Sequence, residues 1–314
     1  MSRRRILFIL IAAAVVAVAF VAAFNSSGPK EPSYNGKTLS QWIDLAYSSP
    51  QAGEADDALR HIGTNAIPCL LDWLAYQPAP WRQKAKQFVL RLPVKARSPK
   101  LANWLLPNNH QKRAALAMHI FPRLGPGAPA AIPGLTRIMK NSKSRPVSMR
   151  AVVALVSLGK DALPPMLTAL SDPTNPNRSF IAQMIPSIAD LGTNGAAAVP
   201  VLISCLNDPD DKVAAQAAYA LGLLQMKSDV VVPALIGSLA NTHYLVRFYS
   251  ARALAEFGED AQAALPALKT ALKDTNNIVR GAASDALSEI APDESEKDQQ
   301  TTERKNRSLV PSNE

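Results

Sequence analysis

The chain has 314 residues, 47% apolar and 19% charged, a balance too hydrophobic for wholesale disorder and long enough for a large buried core. Its 34 Lys and Arg outnumber 25 Asp and Glu, for a net charge of +9, and its two cysteines exclude a disulfide-knit mini-protein and a cysteine-rich zinc module. The charge is uneven: residues 1–72 are neutral overall, residues 73–160 hold sixteen basic and no acidic side chains, and residues 161–314 carry a net charge of −7.

Arg3, Arg4 and Arg5 precede nineteen uncharged residues, Ile6 to Phe24. As a helix at ~1.5 Å per residue this run spans roughly 28 Å, close to a bilayer's hydrocarbon core. The basic flank predicts a cytoplasmic N-terminus and export of the chain beyond Phe24. Two fates stay open. The span is either retained as an anchor or removed as a signal peptide, with Ala17-Val18-Ala19 and Val21-Ala22-Ala23 as small-x-small sites. No cysteine stands close enough after the span to make a lipoprotein anchor. Residues 25–37, rich in Ser, Gly, Pro and Asn, read as a linker. A short helix is predicted from Thr38, with Gln41 completing a capping box before Trp42, Ile43 and Leu45. The polar stretch 292–314 reads as a disordered tail.

Between these ends the sequence repeats every 33 residues. Stepping from Leu155 gives Ile188, Leu221, Leu254 and Leu287; stepping from Val147 gives Phe180, Val213, Val246 and Val279. Leu158 leads to Leu191, Leu224, Phe257 and Ile290, and a small-residue column runs Ala154, Ser187, Ala220, Ala253, Ala286. Within one repeat these positions fall on one helical face, and the small column lets neighbouring helices approach closely. A second helix is predicted in each repeat. Its first turn is marked by Pro68, Pro99, Pro133, Pro164, Pro200, Pro233 and Pro266, where the missing N–H costs nothing. Gly63, Gly125, Gly159, Gly192 and Gly258 stand between the two helices, where a C-cap needs φ > 0, with Pro93 and Gln225 in the same slot of two repeats. Asp172, Asp208, Asn241 and Asp274 punctuate the turn to the next repeat. This register gives seven helix pairs over about residues 51–274 and a closing helix near 276–290.

Stretches such as VRFYSARALAEFG and, directly after it, AALPALKTAL resemble the HEAT-repeat family, in the short form named for phycobilisome lyases. YNGKTLSQW and RHIGTNAIPCLL are similar to exported bacterial HEAT-repeat proteins of unassigned function. The resemblance implies an all-α, right-handed α-solenoid over residues 38–291. Its seven or so helix pairs and closing helix would come after one N-terminal hydrophobic helix, with the second helix of each pair lining a concave surface. Each repeat would bury its apolar stripe only against its neighbours.

Catalytic chemistry is hard to place on this sequence. Deoxyhypusine hydroxylases look similar and hold two irons through repeated His-Glu pairs, but none of His61, His110, His119 and His243 is followed by Glu. His61 reads as a helix-end cation and His119 as a packed side chain within Ala117–Phe121. No serine-nucleophile elbow and no phosphate-cradling glycine loop is present, and Cys69 and Cys205 lie four repeats apart, too far to pair. HEAT-like DNA glycosylases use a basic face, which the basic block and Trp104 invite, yet an exported protein does not meet the genome. The expectation is therefore a non-enzymatic scaffold without cofactor or metal, in the bacterial cell envelope. It would be a single-pass inner-membrane protein, or periplasmic if cleaved. A HEAT-like enzyme of the bilin-lyase type is the alternative.

On the second helices, the positions between the leucines face outward. Asp72, Asn103, Arg137, Thr168, Ser204 and Thr270, four residues after the prolines, and Lys140, Asn207 and Lys273, seven after, together with Trp104, form the candidate partner-binding face. It is polar and short-chained, suited to a protein or peptide rather than to a small-molecule substrate or nucleic acid. The acid-free block 73–160 adds an expected affinity for an anionic membrane surface or partner.

Overall fold

The computed structural model describes residues 29–48, 52–78, 109–188 and 191–292. The apolar span at Ile6–Phe24, the tail beyond Pro292 and the expected repeat over residues 79–108 lie outside the described residues, as do Asn103 and Trp104. Among the described residues the fold is all-α apart from one two-stranded hairpin, and the chain divides into two compact units, Met1–Ala131 and Ile132–Glu314.

In the first unit, β1 (Ser33–Tyr34) and β2 (Lys37–Thr38) pair antiparallel across Asn35-Gly36, both with positive φ. Asn-Gly is the preferred pair for such a tight hairpin turn. The linker reading of residues 25–37 is corrected here: its last part is the hairpin, tied down because the Trp42 indole N–H donates to the Tyr34 carbonyl at 3.0 Å and Lys37 lies over the Trp42 ring. Helix α1 (Leu39–Ser48) begins at the expected place. One arm of the capping box forms, the Thr38 N–H donating to Gln41 Oε1 at 2.8 Å, and Glu31 accepts from the Ser40 N–H at 3.2 Å. Helices α2 (Ala52–Ile62), α3 (Ile67–Ala75) and α4 (Asn109–Ala117), with 3₁₀ turns at Gly63–Ala66 and Phe121–Ala131, bury Leu39, Trp42, Leu59, Leu70, Leu74 and Phe121 between them.

The second unit is a run of helix pairs. One row comprises α6 (Arg145–Ser157), α8 (Arg178–Met184), α10 (Asp211–Leu224), α12 (Tyr244–Glu256) and α14 (Asn277–Ile290). The other comprises α5 (Ile132–Asn141), α7 (Leu163–Ser171), α9 (Val199–Cys205), α11 (Ser228–Ser238) and α13 (Leu265–Ala271). Helices pack on the next member of their own row and on their partner in the other, the arrangement of an α-solenoid. The 33-residue columns form its core: Leu155, Leu221, Leu254, Val147, Val213, Val246 and Val279 are all buried. Ser187 departs from the small column, being exposed where α8 gives way to a 3₁₀ turn.

Backbone geometry explains the punctuation. Gly63, Gly125, Gly159, Gly192 and Gly258 all have positive φ, and Gln225 adopts the same left-handed conformation at φ 48°. Gln225 is held there by its side-chain amide, which donates to the Glu256 carbonyl at 2.7 Å in the next repeat. Prolines occupy the second position of α3, α5, α7, α9 and α13, as expected. Pro233 does not. Helix α11 begins at Ser228, directly after the left-handed Lys227, so the stretch that is 3₁₀ in other repeats is α-helical and Pro233 falls inside it.

The turns between repeats share one hydrogen-bond design. The side chains of Asp172, Asp208, Asn241 and Asp274 each accept from the backbone N–H two residues on, at 2.8–2.9 Å. A cap comes immediately after: Asp210, His243 and Asn276 accept from the N–H groups of Lys212, Leu245 and Ile278 and start α10, α12 and α14. Six residues after the turn residue stands a donor column. Arg247 donates to the carbonyls of Asn241 and Thr242, and Arg280 to those of Asp274 and Thr275. Arg178 and Arg247 also reach forward to grip Asp208 and Asp274 with bidentate geometry. The intervening repeat has Ala214 in the arginine column, and the turn residue it would have gripped is the neutral Asn241. At these three turns Asp208 and Asp274 meet a guanidinium and Asn241 does not, whereas Asp172 is satisfied by the N–H and hydroxyl of Thr174 instead.

Candidate functional site

The candidate face resolves into separate groups. Asp72 is exposed on α3 of the first unit. In the second unit, Arg137 and Lys140 on α5, Thr168 on α7, Ser204 on α9 and Thr270 on α13 are exposed along one row of helices, with Asn207 and Lys273 exposed just beyond α9 and α13. Stacked helices lie about 8–10 Å apart, so this row is a long strip rather than a converged centre. Its hydroxyls are turned inward: Thr168 and Thr270 donate to the carbonyls of Pro164 and Pro266 at 3.0 and 3.1 Å, and Ser204 to Val201 at 2.7 Å. The strip therefore offers methyl groups and acceptor lone pairs, with cations only at its ends.

The basic block behaves differently from the expectation of an uncompensated field. In the first unit Lys112 pairs with Asp44 at 2.8 Å, Arg113 with Glu31 at 2.9 Å and Arg123 with Asp56 at 2.9 Å. Acid and base are separated by more than sixty residues in sequence and brought together by packing of α4 and the adjoining turn on α1–α3. Among the described residues of the block, four exposed cations without a carboxylate in salt-bridge reach cluster at one end of the second unit: Arg137, Lys140, Lys143 and Arg145. Nearby, the Asp172 carboxyl is held below the usual range by the hydroxyl and N–H of Thr174, with the Lys140 charge assisting.

The histidines each have a structural occupation or none. His61 packs against the Tyr34 ring at a tilt, His110 stacks on Tyr76, and the His243 ring nitrogen caps α12. His119 is exposed in the turn after α4, so the expectation of a packed side chain is corrected: Ile120 and Phe121 turn inward instead. Among the described residues no three His, Cys, Asp or Glu side chains converge. Cys69 and Cys205 are free thiols, 2% and 4% exposed. Burial, with Glu31 and Asp72 adding to it, pushes Cys69 up to about 12, and burial raises Cys205 as well. A thiol so far above neutrality holds almost no thiolate, the reactive form. Neither cysteine is therefore expected to react with a maleimide at neutral pH in the native protein, and both should react fully in urea. Mass spectrometry of the labelled chain reads the outcome, and rapid native labelling would contradict the buried placement.

Two rows of antiparallel helices packed at a 33-residue period define an α-helical repeat protein. Residues 199–288, from α9 into α14, match the family described as HEAT repeats, and this part of the chain resembles that family. No functionally curated protein matches it. Among solved structures, the CpcE–CpcF complex of phycocyanin lyase from Nostoc sp. PCC7120 is similar at 25% identity, over 51% of this chain and 99% of that one, with a TM-score of 0.43. Kap121p bound to Nup53p is similar at 15% identity, over 81% of this chain and 29% of that one, with a TM-score of 0.46. Human deoxyhypusine hydroxylase in complex with glycerol is similar at 18% identity, over 81% of this chain and 85% of that one, with a TM-score of 0.34.

Proposed function

We propose that the chain is a non-enzymatic scaffold of the cell envelope that binds a protein or peptide along the exposed row of α5, α7, α9, α11 and α13. One observation supports the binding face above others. Thr168, Ser204 and Thr270 are exposed in register, yet their hydroxyls are satisfied within their own helices. Such a strip can be covered by another polypeptide without stranding polar donors. The envelope setting rests on Arg3–Arg5 and the adjoining apolar run Ile6–Phe24. Among the described residues no helix is long and apolar enough to cross a membrane. The cations Arg137, Lys140, Lys143 and Arg145 give the strip an anionic preference at one end, for an acidic segment of the partner or for lipid headgroups.

A photo-crosslinking residue at Ser204 or Thr168, with Lys212 on α10 as an off-face control, tests the reading in the native envelope. The expected result is one discrete adduct from the two strip positions and none from Lys212. Equal adducts from all three positions, or stoichiometric iron or a visible absorption band in the purified protein, would overturn it.

A further inference from the structure

The opposite row carries a feature that the strip does not explain. Between α12 and α14 lies an open groove of about 420 Å³ lined by Phe248, Arg252, Ala255, Glu256, Ala282, Asp285 and Glu289. Its origin is visible in the repeat register. One interface earlier, between α10 and α12, the rings of Tyr219 and Tyr249 meet edge to face, 5.6 Å between centroids, and fill the equivalent space. Thirty-three residues on, the same two columns hold Arg252 and Ala282. Where the preceding interface has two rings, this one has a methyl group and a guanidinium. The guanidinium does not close the gap, because Arg252 lies back over the Phe248 ring at 5.9 Å.

The floor is apolar: the half-buried Phe248 and Ala255 and the buried Ala282. The rim is acidic. Glu256, Asp285 and Glu289 are exposed, and none has a basic side chain within salt-bridge distance among the described residues. Arg252 is the one cation of the lining, leaving an excess of two negative charges around a space the size of a large side chain and more.

We infer that this groove is a second docking surface, taking a segment of a partner polypeptide that presents an aromatic side chain flanked by Lys or Arg. The ring replaces the missing Tyr of the repeat, lying on Ala282 beside Phe248, and the flanking cations meet Glu256, Asp285 and Glu289. Aromatic anchors in desolvated pockets ringed by charge complementarity carry most of the affinity of such contacts. The surface belongs to the row facing away from the strip of Thr168, Ser204 and Thr270, so the two sites can be occupied independently.

The test uses the full chain in mild detergent and fluorescence anisotropy with three labelled hexapeptides: Lys-Lys-Phe-Ala-Lys-Lys, the same peptide with Ala for Phe, and the same with Glu for every Lys. The first should bind more tightly than either other by about tenfold or more, the loss expected for one anchor or for reversed charge. Ala282→Tyr, which rebuilds the ring pair of the preceding interface within the chain, should lower affinity for the first peptide by a similar factor. The double substitution Asp285→Asn/Glu289→Gln, at two exposed positions, should also weaken it and make the remainder less sensitive to salt. Should Ala282→Tyr unfold, the double variant decides alone. Equal affinity for all three peptides, or unchanged binding by the double variant, overturns the assignment. So does a concentration-dependent dimer, in sedimentation, that either variant abolishes, because the occupant would then be a second copy of the chain.

Discussion

Replacing Asp274 by Ala should destabilise the α12–α14 end of the protein by about 3 kcal/mol, within the range for removing one partner of a buried ion pair. Asp274 accepts from Arg247 Nε at 2.6 Å and Nη2 at 2.8 Å while also accepting from the Asn276 N–H at 2.8 Å. Both side chains are nearly covered, 13% exposed for Arg247 and 10% for Asp274. The Ala variant leaves a covered guanidinium with only the Asn241 and Thr242 carbonyls as acceptors and removes the turn that precedes the Asn276 cap. In a repeat array the damage stays local, so hydrogen exchange of α12–α14 amides reads it better than a single global transition. Asn241→Ala, at a side chain that accepts from the His243 N–H but from no guanidinium, should cost only about 1 kcal/mol, the worth of one ordinary hydrogen bond. Equal losses at the two positions would show that the ion pair adds nothing.

The same pair sets a pH dependence with a definite sign. The hydrogen bonds from Arg247 hold the Asp274 carboxyl below the usual range, and Arg247 itself is raised by that contact. A carboxyl that is more acidic folded than unfolded stabilises the fold fully above the ordinary value of about 3.9. That contribution is lost as the pH falls through the lowered folded value, while Arg247 stays charged throughout. Wild-type protein should therefore lose stability between mildly and strongly acidic pH more steeply than Asp274→Ala. Parallel stability–pH curves for the two proteins would remove Asp274 as a source.

The 33-residue columns, the left-handed glycines and most of the helix-starting prolines could be read from the chain because each depends on local physics repeated at a fixed spacing. The proline that departs from the pattern, Pro233, does so for a local reason too: a left-handed Lys227, which carries no sequence signature, lets α11 start early. Long-range pairing was less visible. Glu31, Asp44 and Asp56 sit outside the acid-free block in sequence, and only packing of α4 on α1–α3 makes them its counter-ions. Asn35-Gly36 was available as a hairpin signal, masked by the surrounding Ser, Gly and Pro. The arginine column was present as Arg178, Arg247 and Arg280, but the 36-residue step from Asp172 to Asp208 shifts its register and hides it. Of the candidate strip, the outward positions derive directly from the leucine columns. The inward turn of the hydroxyls is visible only in three dimensions, and so is the groove, since a missing ring at Ala282 matters only once Tyr219 and Tyr249 are seen to touch.

Gly222→Val should cost about 3 kcal/mol, at the upper end of what overpacking a well-filled interior usually costs. Gly222 lies in α10 with ordinary helical dihedrals, so its role is not conformational freedom. A Cβ built there comes within 2.8 Å of Ala253 Cα and 2.9 Å of Ala253 Cβ on α12. The neighbour is backbone and the first carbon of a side chain with no rotamer to move, so relief requires separating the two helices. Ala253 belongs to the small column and is 2% exposed, so α10 and α12 meet here with a glycine set against an alanine. Two effects compete in any substitution at Gly222. Leaving glycine gains about 0.8–1.0 kcal/mol of helix propensity for Ala and less for a β-branched residue. Helix separation opposes it and grows with each added carbon, so Gly222→Ala should be mildly destabilising and Gly222→Val severely so. Gly281 in α14 isolates the first effect, because a Cβ there meets nothing within 4 Å. Gly281→Ala should accordingly stabilise by about 0.5–1 kcal/mol. Urea denaturation of the three variants checks the order. A Gly222→Val protein as stable as wild type, or a Gly281→Ala protein as damaged as Gly222→Ala, would refute this packing. A displaced α12 would also carry Tyr249 away from Tyr219 and Arg247 away from Asp274. Gly222→Val combined with Asp274→Ala should therefore cost less than the two single losses together, the mark of a shared structural cause.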